Sequence, residues 1–461
     1  MNVAILGYGV DGQSAAEYWH KKGDNVTICD LRDDIKIPEY AKAKLGADYL
    51  ENLENFDLIV RTPGLHPSKI IENNPDYPDI YTKVTTTINE FFANCPGKII
   101  GVTGTKGKGT TCTIIYKILQ AAGKNTFLGG NIGVNPLDFL NEVTEDSWVV
   151  LELSSFQTID IKYSPAIAVC LMVVPEHLNW HTNLQEYIDA KTKLFLGQTN
   201  KDSAIYLGST ENLFVNQKSD DDAVFDANNI LSQKIASTSK GIHIPYSAPS
   251  SNEAPKSLNG AYVVNDVIYM QGTEICNTKD IALLGAHNLE NVCAAIAAVW
   301  SIIGGDVNPI IQVVKTFTGL EHRIEFVREV DGVKYYNDSF ATTPEAAIAA
   351  IKSFNQKVVL ILGGSSKGTP LFSLISEIIT GNARGVVVIG DTGPKILELL
   401  TVRGFSDIAL GGNTMNEMVI AAKNIAHKGD VVLLSPACAS FGLFVDYKDR
   451  GNQFKQVVNS L

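Results

Sequence analysis

The chain has 461 residues, 45% of them hydrophobic, and a formal net charge of −12 at pH 7. This length exceeds what one hydrophobic core serves, so two or three domains are expected. The negative charge disfavours a nucleic-acid partner, and no apolar run is long enough to cross a bilayer. The seven cysteines form no CxxC pair and the first residues lack the basic region of a signal peptide, which predicts a cytoplasmic protein without a zinc site.

The chain opens with a predicted strand, residues 2–6, followed by the glycine turn GYGVDG and a helix to about residue 22. A second strand, residues 25–30, ends on Asp30. A GxGxxG turn in this setting is typical of nucleotide-binding folds, in which the glycines let a diphosphate approach the backbone. It favours a nucleotide-diphosphate site over plain strand–helix packing. Breakers near Pro96 end this Rossmann-like domain, predicted to span residues 1–95.

A second glycine-rich turn lies between a strand at residues 99–102 and a helix from Thr111. Strand, turn and helix resemble the P-loop, whose backbone N–H groups converge on phosphate oxygens. Lys108 would reach the β- and γ-phosphates. The residue after it is Gly109 rather than Ser or Thr, so the Mg²⁺-binding hydroxyl would come from Thr110 or Thr111. The alternative is a glycine-rich loop that binds no nucleotide.

Two further strands end on residues that suit a metal site. Four apolar residues lead into Glu152, and a buried acid beside a P-loop is expected to meet Mg²⁺ unless it lies at an exposed edge. A strand over residues 166–174 leads to PEHLNWH. His177 in that segment is a second candidate ligand, although a single histidine is equally compatible with a structural role.

The predicted helix over residues 184–195 carries a lysine on its apolar face. At 100° per residue, Lys191 lies among Tyr187, Ile188 and Leu194, whereas Lys193 points away from that face. A buried lysine needs a partner or a chemical modification, unless its ammonium reaches water at the end of the helix.

The last third of the chain, from about Thr318, alternates strands and helices as in a doubly wound sheet. Loops at residues 363–368 and 435–441 follow predicted strands. Both are suited to a small anion, with Lys367 as the cation. The predicted domains are therefore residues 1–95, a central P-loop domain at 96–317, and a Rossmann-like C-terminal domain at 318–461.

Taken together, the segments GTKGKGTT, GGNIG, LELSSFQ, PEHLNWH, GAHNLEN, YNDSFATTPEA and SPACASFGLFVDYKDRGNQF make the chain similar to the Mur ligase family over all three domains. The resemblance implies an α/β fold and ATP-dependent amide ligation through an acyl phosphate, in cytoplasmic peptidoglycan precursor synthesis. Within the family, LELSSFQ and the last segment favour the members that add D-glutamate to UDP-MurNAc-L-Ala. The implied small-molecule partners are these two substrates, with no nucleic acid or membrane, and the implied protein is a monomer.

The resemblance also implies residue roles. The UDP-muramoyl substrate would contact Val10, Asp11, Arg32, Gly64 and Asn131. ATP would contact Gly104, Thr105, Lys106, Gly107, Lys108, Gly109, Thr110, Asn291, Arg323 and Asp338. Two Mg²⁺ ions would be held by Thr110, Glu152, His177 and a carbamylated Lys191, and D-glutamate by Lys367, Ser440, Phe441 and Tyr447. The catalytic set would be Lys108, Glu152, His177 and Lys191.

Two positions depart from the family pattern: Gly109 replaces the hydroxyl residue, as in folylpolyglutamate synthases, and Phe340 stands where many relatives carry a lysine. Two alternative functions stay open at this stage. One is a folylpolyglutamate synthase-like ligase, although the nucleotide-type domain ahead of the P-loop speaks against it. The other is a non-catalytic P-loop switch, which acceptor-dependent phosphate release would exclude.

Overall fold

The computed structural model describes residues 1–196, 221–248, 259–283, 285, 287–366 and 370–461. Parallel β-sheets flanked by helices confirm the predicted α/β class. Three sheets are present, and the chain divides into two compact units: residues 1–282 with 286–317, and residues 283–285 with 318–461. The three-domain division at 95/96 and 317/318 stays a prediction. No helix among the described residues is long and apolar enough to span a membrane.

The first sheet is parallel throughout, with the strand order β3-β2-β1-β4-β5. Its strands are β1 Asn2–Leu6, β2 Asn25–Asp30, β3 Lys42–Leu45, β4 Leu58–Arg61 and β5 Val84–Thr85. Its helices are α1 Val10–Lys21, α2 Pro67–Glu72 and α3 Thr87–Asn94. The order reverses between β1 and β4, and open α/β sheets bind ligands at the carboxyl ends of strands at such a point.

The second sheet has nine strands in the order β14-β13-β12-β11-β10-β9-β6-β8-β7. They are β6 Lys98–Thr103, β7 Thr126–Gly130, β8 Trp148–Glu152, β9 Ile167–Cys170, β10 Asp222–Asp226, β11 Ile242–Ser247, β12 Ala261–Val264, β13 Val267–Met270 and β14 Thr273–Asn277. The helices are α4 Lys108–Ala121, α5 Pro136–Phe139, α6 Ser155–Thr158, α7 Leu184–Leu196, α8 Ile230–Ala236, α9 His287–Val299 and α10 Val307–Thr316. Only β12, β13 and β14 pair antiparallel, so β6, β8 and β9 all point their carboxyl ends toward the P-loop.

The third sheet, in the second compact unit, has the order β15-β16-β20-β17-β18-β19. Its strands are β15 Glu325–Val330, β16 Val333–Asn337, β17 Val358–Gly363, β18 Ala383–Ile389, β19 Ile408–Leu410 and β20 Val431–Leu434. Its helices are α11 Pro344–Lys352, α12 Phe372–Thr380, α13 Gly393–Val402, α14 Met415–Ile425 and α15 Tyr447–Ser460. The loops after β17 and β20 are neighbours because these two strands are hydrogen-bonded in parallel.

Strand β9 is shorter than the sequence predicts, ending at Cys170 instead of residue 174. Beyond it, the backbones of Thr103 and Thr105 bond those of Leu171 and Met172, each at 2.9 Å, and side chains bond the next two residues. The hydroxyl of Thr105 donates to the Val174 carbonyl at 3.0 Å, and the Asn229 amide donates to the Val173 carbonyl at 3.1 Å. The P-loop turn therefore holds the apolar residues after Cys170 in place, although they are not part of the strand.

The first two sheets share one hydrophobic core and one buried ion pair. Core residues from β1 and α1 pack in the same cluster as those from β6, β8 and α7. Arg61, fully buried at the end of β4, binds Asp160 through Nε and Nη2, each at 2.7 Å. Burial alone would raise the pKa of Asp160, but Arg61 and a hydrogen bond from Tyr81 hold it below its ordinary value. The two sheets are thus locked together inside one compact unit.

We predict that Asp160→Asn lowers the free energy of unfolding by about 3–5 kcal/mol, because it leaves the Arg61 charge buried without an anion. Denaturant unfolding of the full chain measures this loss. Glu72→Gln, which breaks an exposed pair with Lys69, is the matched control and should leave the unfolding midpoint nearly unchanged. A loss for Asp160→Asn no larger than that of the control would contradict the prediction.

Candidate active site

The P-loop turn lies between β6 and α4, and its backbone conformation depends on glycine. Gly104 and Gly107 have φ of +146° and +86°, and Gly107 precedes the first residue of α4, Lys108. A Cβ on Gly104 would lie 2.6 Å from the Cβ of Leu171. The turn therefore exposes its N–H groups and a helix N-terminus to the same space, an arrangement that binds phosphate.

Asn291 of α9 closes the other side of this turn. A Cβ on Gly107 would lie 2.2 Å from the Asn291 Oδ1, which also accepts a hydrogen bond from the Thr111 hydroxyl at 3.3 Å. Asn291 in turn donates to Asn288 at 2.8 Å. The hydroxyl of Thr110 has no such partner within the described ranges. Of the two threonines that the sequence left open, Thr110 is the one free to take a metal ion.

Two predicted ATP-binding side chains make contacts within the protein. The Thr105 hydroxyl lies 2.7 Å from that of Tyr187, in addition to its bond with the carbonyl of Val174. The exposed Lys106 forms an ion pair with Glu176, in the loop after β9. Thr105 thus shapes the turn, while Lys106 links it to the PEHLNWH segment.

Lys191 lies on the buried face of α7, as predicted, with 1% of its surface exposed. Its Nζ donates to the Gly104 carbonyl at 2.9 Å and contacts the Tyr187 ring at 4.7 Å from the centroid. Burial, together with the repulsion from the nearby Lys108, lowers its pKa to about 7. The ammonium has no carboxylate partner within the described part of the chain, and the modification of Lys191 stays a prediction.

Lys108 is the second cation of the turn. Its Nζ donates to the carbonyls of Gly104 and Thr105 at 3.1 and 3.2 Å. Burial lowers its pKa, against the opposing influence of Glu152 and Glu176. Two lysines that converge on the Gly104 carbonyl without a bonded acid leave local positive charge, so the residues present fit a polyanionic ligand such as a triphosphate.

Glu152 ends β8 next to the P-loop and is 7% exposed. Its Oε1 accepts a hydrogen bond from the side chain of Asn131 at 2.9 Å, and its other oxygen has no partner among the described residues. That free carboxylate oxygen and the Thr110 hydroxyl are the oxygen ligands that Mg²⁺ prefers. Within the described ranges, no three His, Cys, Asp or Glu side chains group as a metal site. The predicted metal set thus depends on a modified Lys191.

His177 is half exposed, with a φ of +59° and its ring 4.8 Å from that of Phe156. Burial lowers its pKa, and Lys108, Lys191 and Lys106 act in the same direction against Glu176. The histidine therefore lies within electrostatic reach of the P-loop lysines, and its role as a metal ligand stays a prediction.

The first glycine turn requires glycine for close packing. Gly7 has a φ of +94°, and a Cβ on Gly12 would lie 1.9 Å from the Gly7 carbonyl oxygen. Asp30, at the end of β2, accepts hydrogen bonds from the Tyr8 amide and from Arg32, whose guanidinium holds its pKa at about 2. Asp30 therefore orients Arg32 at the rim of the turn.

The other predicted substrate residues lie around the same strand ends. Val10, at the start of α1, is 76% exposed, whereas Asp11 accepts a hydrogen bond from the Asn135 side chain at 2.7 Å. The carbonyl of Gly64, after β4, accepts a hydrogen bond from the Trp180 indole at 3.2 Å. Val10, Arg32 and Gly64 thus follow β1, β2 and β4, three adjacent strands of which β1 and β4 flank the reversal point.

In the second unit, Arg323 and Tyr447 both contact the ring of Phe340. The Arg323 guanidinium is 5.7 Å from the Phe340 ring centroid, and the Tyr447 ring meets the same ring edge-to-face at 5.2 Å. Asp338 is buried, accepting hydrogen bonds from the Ser435 hydroxyl at 2.7 Å and the Ile324 amide at 3.2 Å. Phe340, which departs from the family pattern, thus presents a half-exposed aromatic ring to the Arg323 guanidinium.

The two loops predicted to bind a small anion are adjacent where they are described. Ser365 donates its N–H to the Ala439 carbonyl at 2.9 Å, and a Cβ on Gly364 would lie 2.2 Å from that oxygen. Ser440 is 5% exposed and Phe441 is 64% exposed. Lys367 lies outside the described residues.

Two single charged side chains and one ion pair were not predicted from the sequence to be buried. Arg450 of α15 donates to the hydroxyl and carbonyl of Ser339, both at 2.9 Å, and contacts no carboxylate in the described part of the chain. Lys193, expected only to point away from Lys191, donates to the Ile159 carbonyl, and burial lowers its pKa to about 8. The ion pair is that of Arg61 and Asp160. Arg450 falls inside a quoted segment, but nothing in the sequence signals its burial.

Two protein-family profiles match the chain. The Mur ligase middle domain matches residues 102–299, and the Mur ligase glutamate ligase domain matches residues 322–438. The chain is 38% identical to a UDP-N-acetylmuramoylalanine–D-glutamate ligase of Acetivibrio thermocellus and 36% identical to one of Clostridium novyi. Both alignments cover 100% of this chain and 96% of the relative.

Among solved structures, the fold is similar to the UDP-N-acetylmuramate–alanine ligase MurC of Thermotoga maritima, with a TM-score of 0.58 and 18% identity over 100% of this chain and 99% of the other. It is also similar to the MurF ligase of T. maritima in complex with ADP, with a TM-score of 0.57 and 18% identity over 99% and 94% of the two chains. At this identity the likeness concerns the fold.

We predict that Asp338 makes the second unit lose stability as the pH rises from about 4 to about 7. Burial raises the pKa of its carboxyl to about 7, so in this window the folded state holds a proton that the unfolded state has lost. Relative to Asp338→Asn, the wild-type protein should therefore become less stable with increasing pH in denaturant unfolding. Asp331→Asn, at an exposed position, is the surface control. A wild-type-minus-variant difference independent of pH would contradict the prediction.

Proposed function

The chain belongs to the Mur ligase family, in the branch of UDP-N-acetylmuramoylalanine–D-glutamate ligases, and on this premise we propose how its residues perform the reaction. The reaction is the ATP-dependent addition of D-glutamate to UDP-N-acetylmuramoyl-L-alanine, in peptidoglycan precursor synthesis. The observation that carries the assignment of roles is the pair of lysines, Lys108 and Lys191, that converge on the glycine turn without a bonded acid.

The glycine turn from Gly104 to Thr110 binds the phosphates of ATP. Its N–H groups and Lys108 neutralise phosphate charge, and Asn291 holds the turn in shape from α9. Glu152, Thr110, His177 and a carbamate on Lys191 would hold two Mg²⁺ ions, which would neutralise charge on the transferred phosphoryl group. The free oxygen of Glu152 and the unpartnered Thr110 hydroxyl support this set.

The environment of Lys191 supports its carbamylation. The amine must lose its proton before it attacks CO₂, and a pKa of about 7 makes the neutral amine abundant at neutral pH. The product is an anion in place of a buried cation, directly beside Lys108. The modification thus removes a cation–cation repulsion and supplies a further oxygen ligand.

The UDP-muramoyl substrate binds at the first sheet, where Val10, Asp11, Arg32 and Gly64 surround the reversal point of the strand order. Asp30 holds Arg32 in place through Nε and Nη2, and the remaining N–H groups of the guanidinium would donate to the diphosphate. Asn131 would contact the acyl end of the substrate, and its hydrogen bond to the proposed metal ligand Glu152 supports this role.

In the second unit, Arg323 contacts the nucleotide phosphates and Asp338 the ribose. Ser440, Phe441, Tyr447 and Lys367 bind D-glutamate. Phe340 packs against both Arg323 and Tyr447 and orients these two side chains. It occupies the position at which many relatives carry a lysine.

The chemistry requires activation because an amine does not displace the oxygen of a carboxylate at neutral pH. The alanyl carboxylate attacks the γ-phosphate of ATP, giving an acyl phosphate and ADP. The amine of D-glutamate then attacks the acyl carbon, and phosphate leaves from a tetrahedral intermediate. Both steps bring anions together, and Lys108 counters that charge from a fixed position.

The family assignment does not support the two alternative functions, a folylpolyglutamate synthase-like ligase and a non-catalytic P-loop switch. We further propose that the protein acts in the cytoplasm as a monomer. The nucleotide substrates and the seven cysteines, all free thiols, support the cytoplasmic location, and the monomeric state is proposed from the family resemblance alone.

We predict that ADP release by the purified protein requires both UDP-N-acetylmuramoyl-L-alanine and D-glutamate. Each component would be tested alone and together, with L-glutamate and other amino acids as alternative acceptors, in a coupled ADP assay. Preference for L-glutamate would contradict the stereochemical assignment. Acceptor-stimulated turnover without ADP would contradict the acyl-phosphate route.

We predict that Lys191→Ala abolishes ligase activity and that short carboxylates restore part of it, because a free carboxylate then occupies the place of the carbamate. Lys193→Ala is the matched control on the same helix, and its activity should not respond to carboxylates. Full activity in Lys191→Ala would exclude the carbamate role.

A further inference from the structure

A single carboxylate, Glu186 in the first turn of α7, joins three segments of the first compact unit. Its Oε2 accepts a hydrogen bond from the Thr182 amide at 2.8 Å and lies 3.3 Å from both His181 Nδ1 and His66 Nε2. His66 belongs to the turn after β4, whereas His181 ends the PEHLNWH segment. His181 Nε2 in turn lies 2.9 Å from the Ser155 hydroxyl. We call His66, Glu186, His181 and Ser155 the histidine relay.

The partners of each ring fix its protons. His66 Nδ1 accepts a hydrogen bond from the Ser68 amide, which can only donate, so the His66 proton lies on Nε2 and faces Glu186. The carboxylate likewise draws the His181 proton to Nδ1, leaving Nε2 to accept from the Ser155 hydroxyl. Every donor of the relay thus meets an acceptor, and the hydrogen bonds of both histidines converge on the Glu186 carboxylate.

A serine, a histidine and an acid in this order resemble a nucleophilic triad, but burial excludes that role here. Ser155 is 2% exposed and the His181 side chain is fully buried, so no substrate reaches the hydroxyl. Buried polar networks with satisfied partners instead fix the geometry of the segments that they join.

The segments joined by the relay are those that hold the proposed substrate and metal residues. His66 follows Gly64 by two residues, Ser155 follows Glu152 by three, and His181 follows His177 by four. A second contact runs in parallel: the Trp180 indole donates to the Gly64 carbonyl at 3.2 Å, and its ring packs 4.6 Å from both His66 and Phe156. The turn at residues 62–66 and the loop at residues 175–181 are therefore fastened to each other twice.

We propose that the histidine relay positions the 175–181 loop against the 62–66 turn, so that occupancy of the UDP-muramoyl site and the geometry of the metal loop are coupled. This inference rests on the proposed function for the identity of the two sites. It assigns His66, Glu186 and His181 as positioning residues that touch no substrate. Their effect on turnover arises because small displacements of a reacting group cost large factors in rate.

Two substitutions of His66 separate this role from simple packing. His66→Gln keeps an amide N–H near the position of Nε2 and therefore the contact with Glu186. His66→Asn keeps an acceptor near Nδ1 for the Ser68 amide, and with it the start of α2, but cannot reach Glu186. We expect His66→Asn to lower kcat with UDP-N-acetylmuramoyl-L-alanine on the order of tenfold, with KM for ATP within about twofold of wild type. His66→Gln should retain most of the activity.

A second readout does not depend on catalysis. UDP alone, added to the full chain, should slow amide hydrogen exchange in the peptide covering residues 175–183 of wild type and of His66→Gln, and should not do so in His66→Asn. If wild type gave no acceptor-dependent ADP, the proposed function would fail while this measurement still tested the coupling. Equal behaviour of the two variants in either assay, or no UDP effect on the wild-type peptide, would overturn the proposal.

Discussion

The ion pair between Arg61 and Asp160 is the constraint on which the first compact unit depends. Arg61 ends the strand next to the reversal point of the first sheet, and Asp160 follows the short helix α6 after the strand of Glu152. The guanidinium of Arg61 also donates to the carbonyls of Leu65 and Phe156, at 2.8 and 2.9 Å. It thus bonds backbone groups from both the first and the second sheet regions. Because a buried charge cannot separate from its counter-ion without a large desolvation cost, the two sheets keep one relative arrangement.

Electrostatics gives the P-loop region its chemical character. The protein is acidic as a whole, yet Lys108 and Lys191 converge on one carbonyl with their pKa values lowered by burial. Folding has thus brought together two cations that would repel each other in the absence of an anion. The free energy needed to assemble them is returned when a polyanion binds, which is how a binding site gains affinity from a locally unfavourable arrangement.

Sequence patterns predicted the elements of the fold and the neighbourhood of the site, because both depend on local periodicity and on glycines with special backbone angles. The P-loop, the glycine turn after β1 and the inward face of α7 with Lys191 follow from such local rules. The Arg61–Asp160 pair and the contact of Lys193 with Ile159 could not be predicted, since their partners are joined only by tertiary packing. The length of strand β9 was overestimated because the P-loop turn and the side chains of Thr105 and Asn229, all distant in sequence, bond the residues after Cys170. The roles of the site residues remain predictions of the resemblance.

Phe340 has a consequence for small molecules directed at the second unit. The residue is 50% exposed, and its ring contacts both a guanidinium and a phenol. An inhibitor designed around an acidic group that pairs with a lysine ammonium at this position in relatives would meet a flat hydrocarbon surface here. Compounds that offer an aromatic ring for stacking would gain contact area in this protein, so selectivity among members of the family would follow from this one side chain.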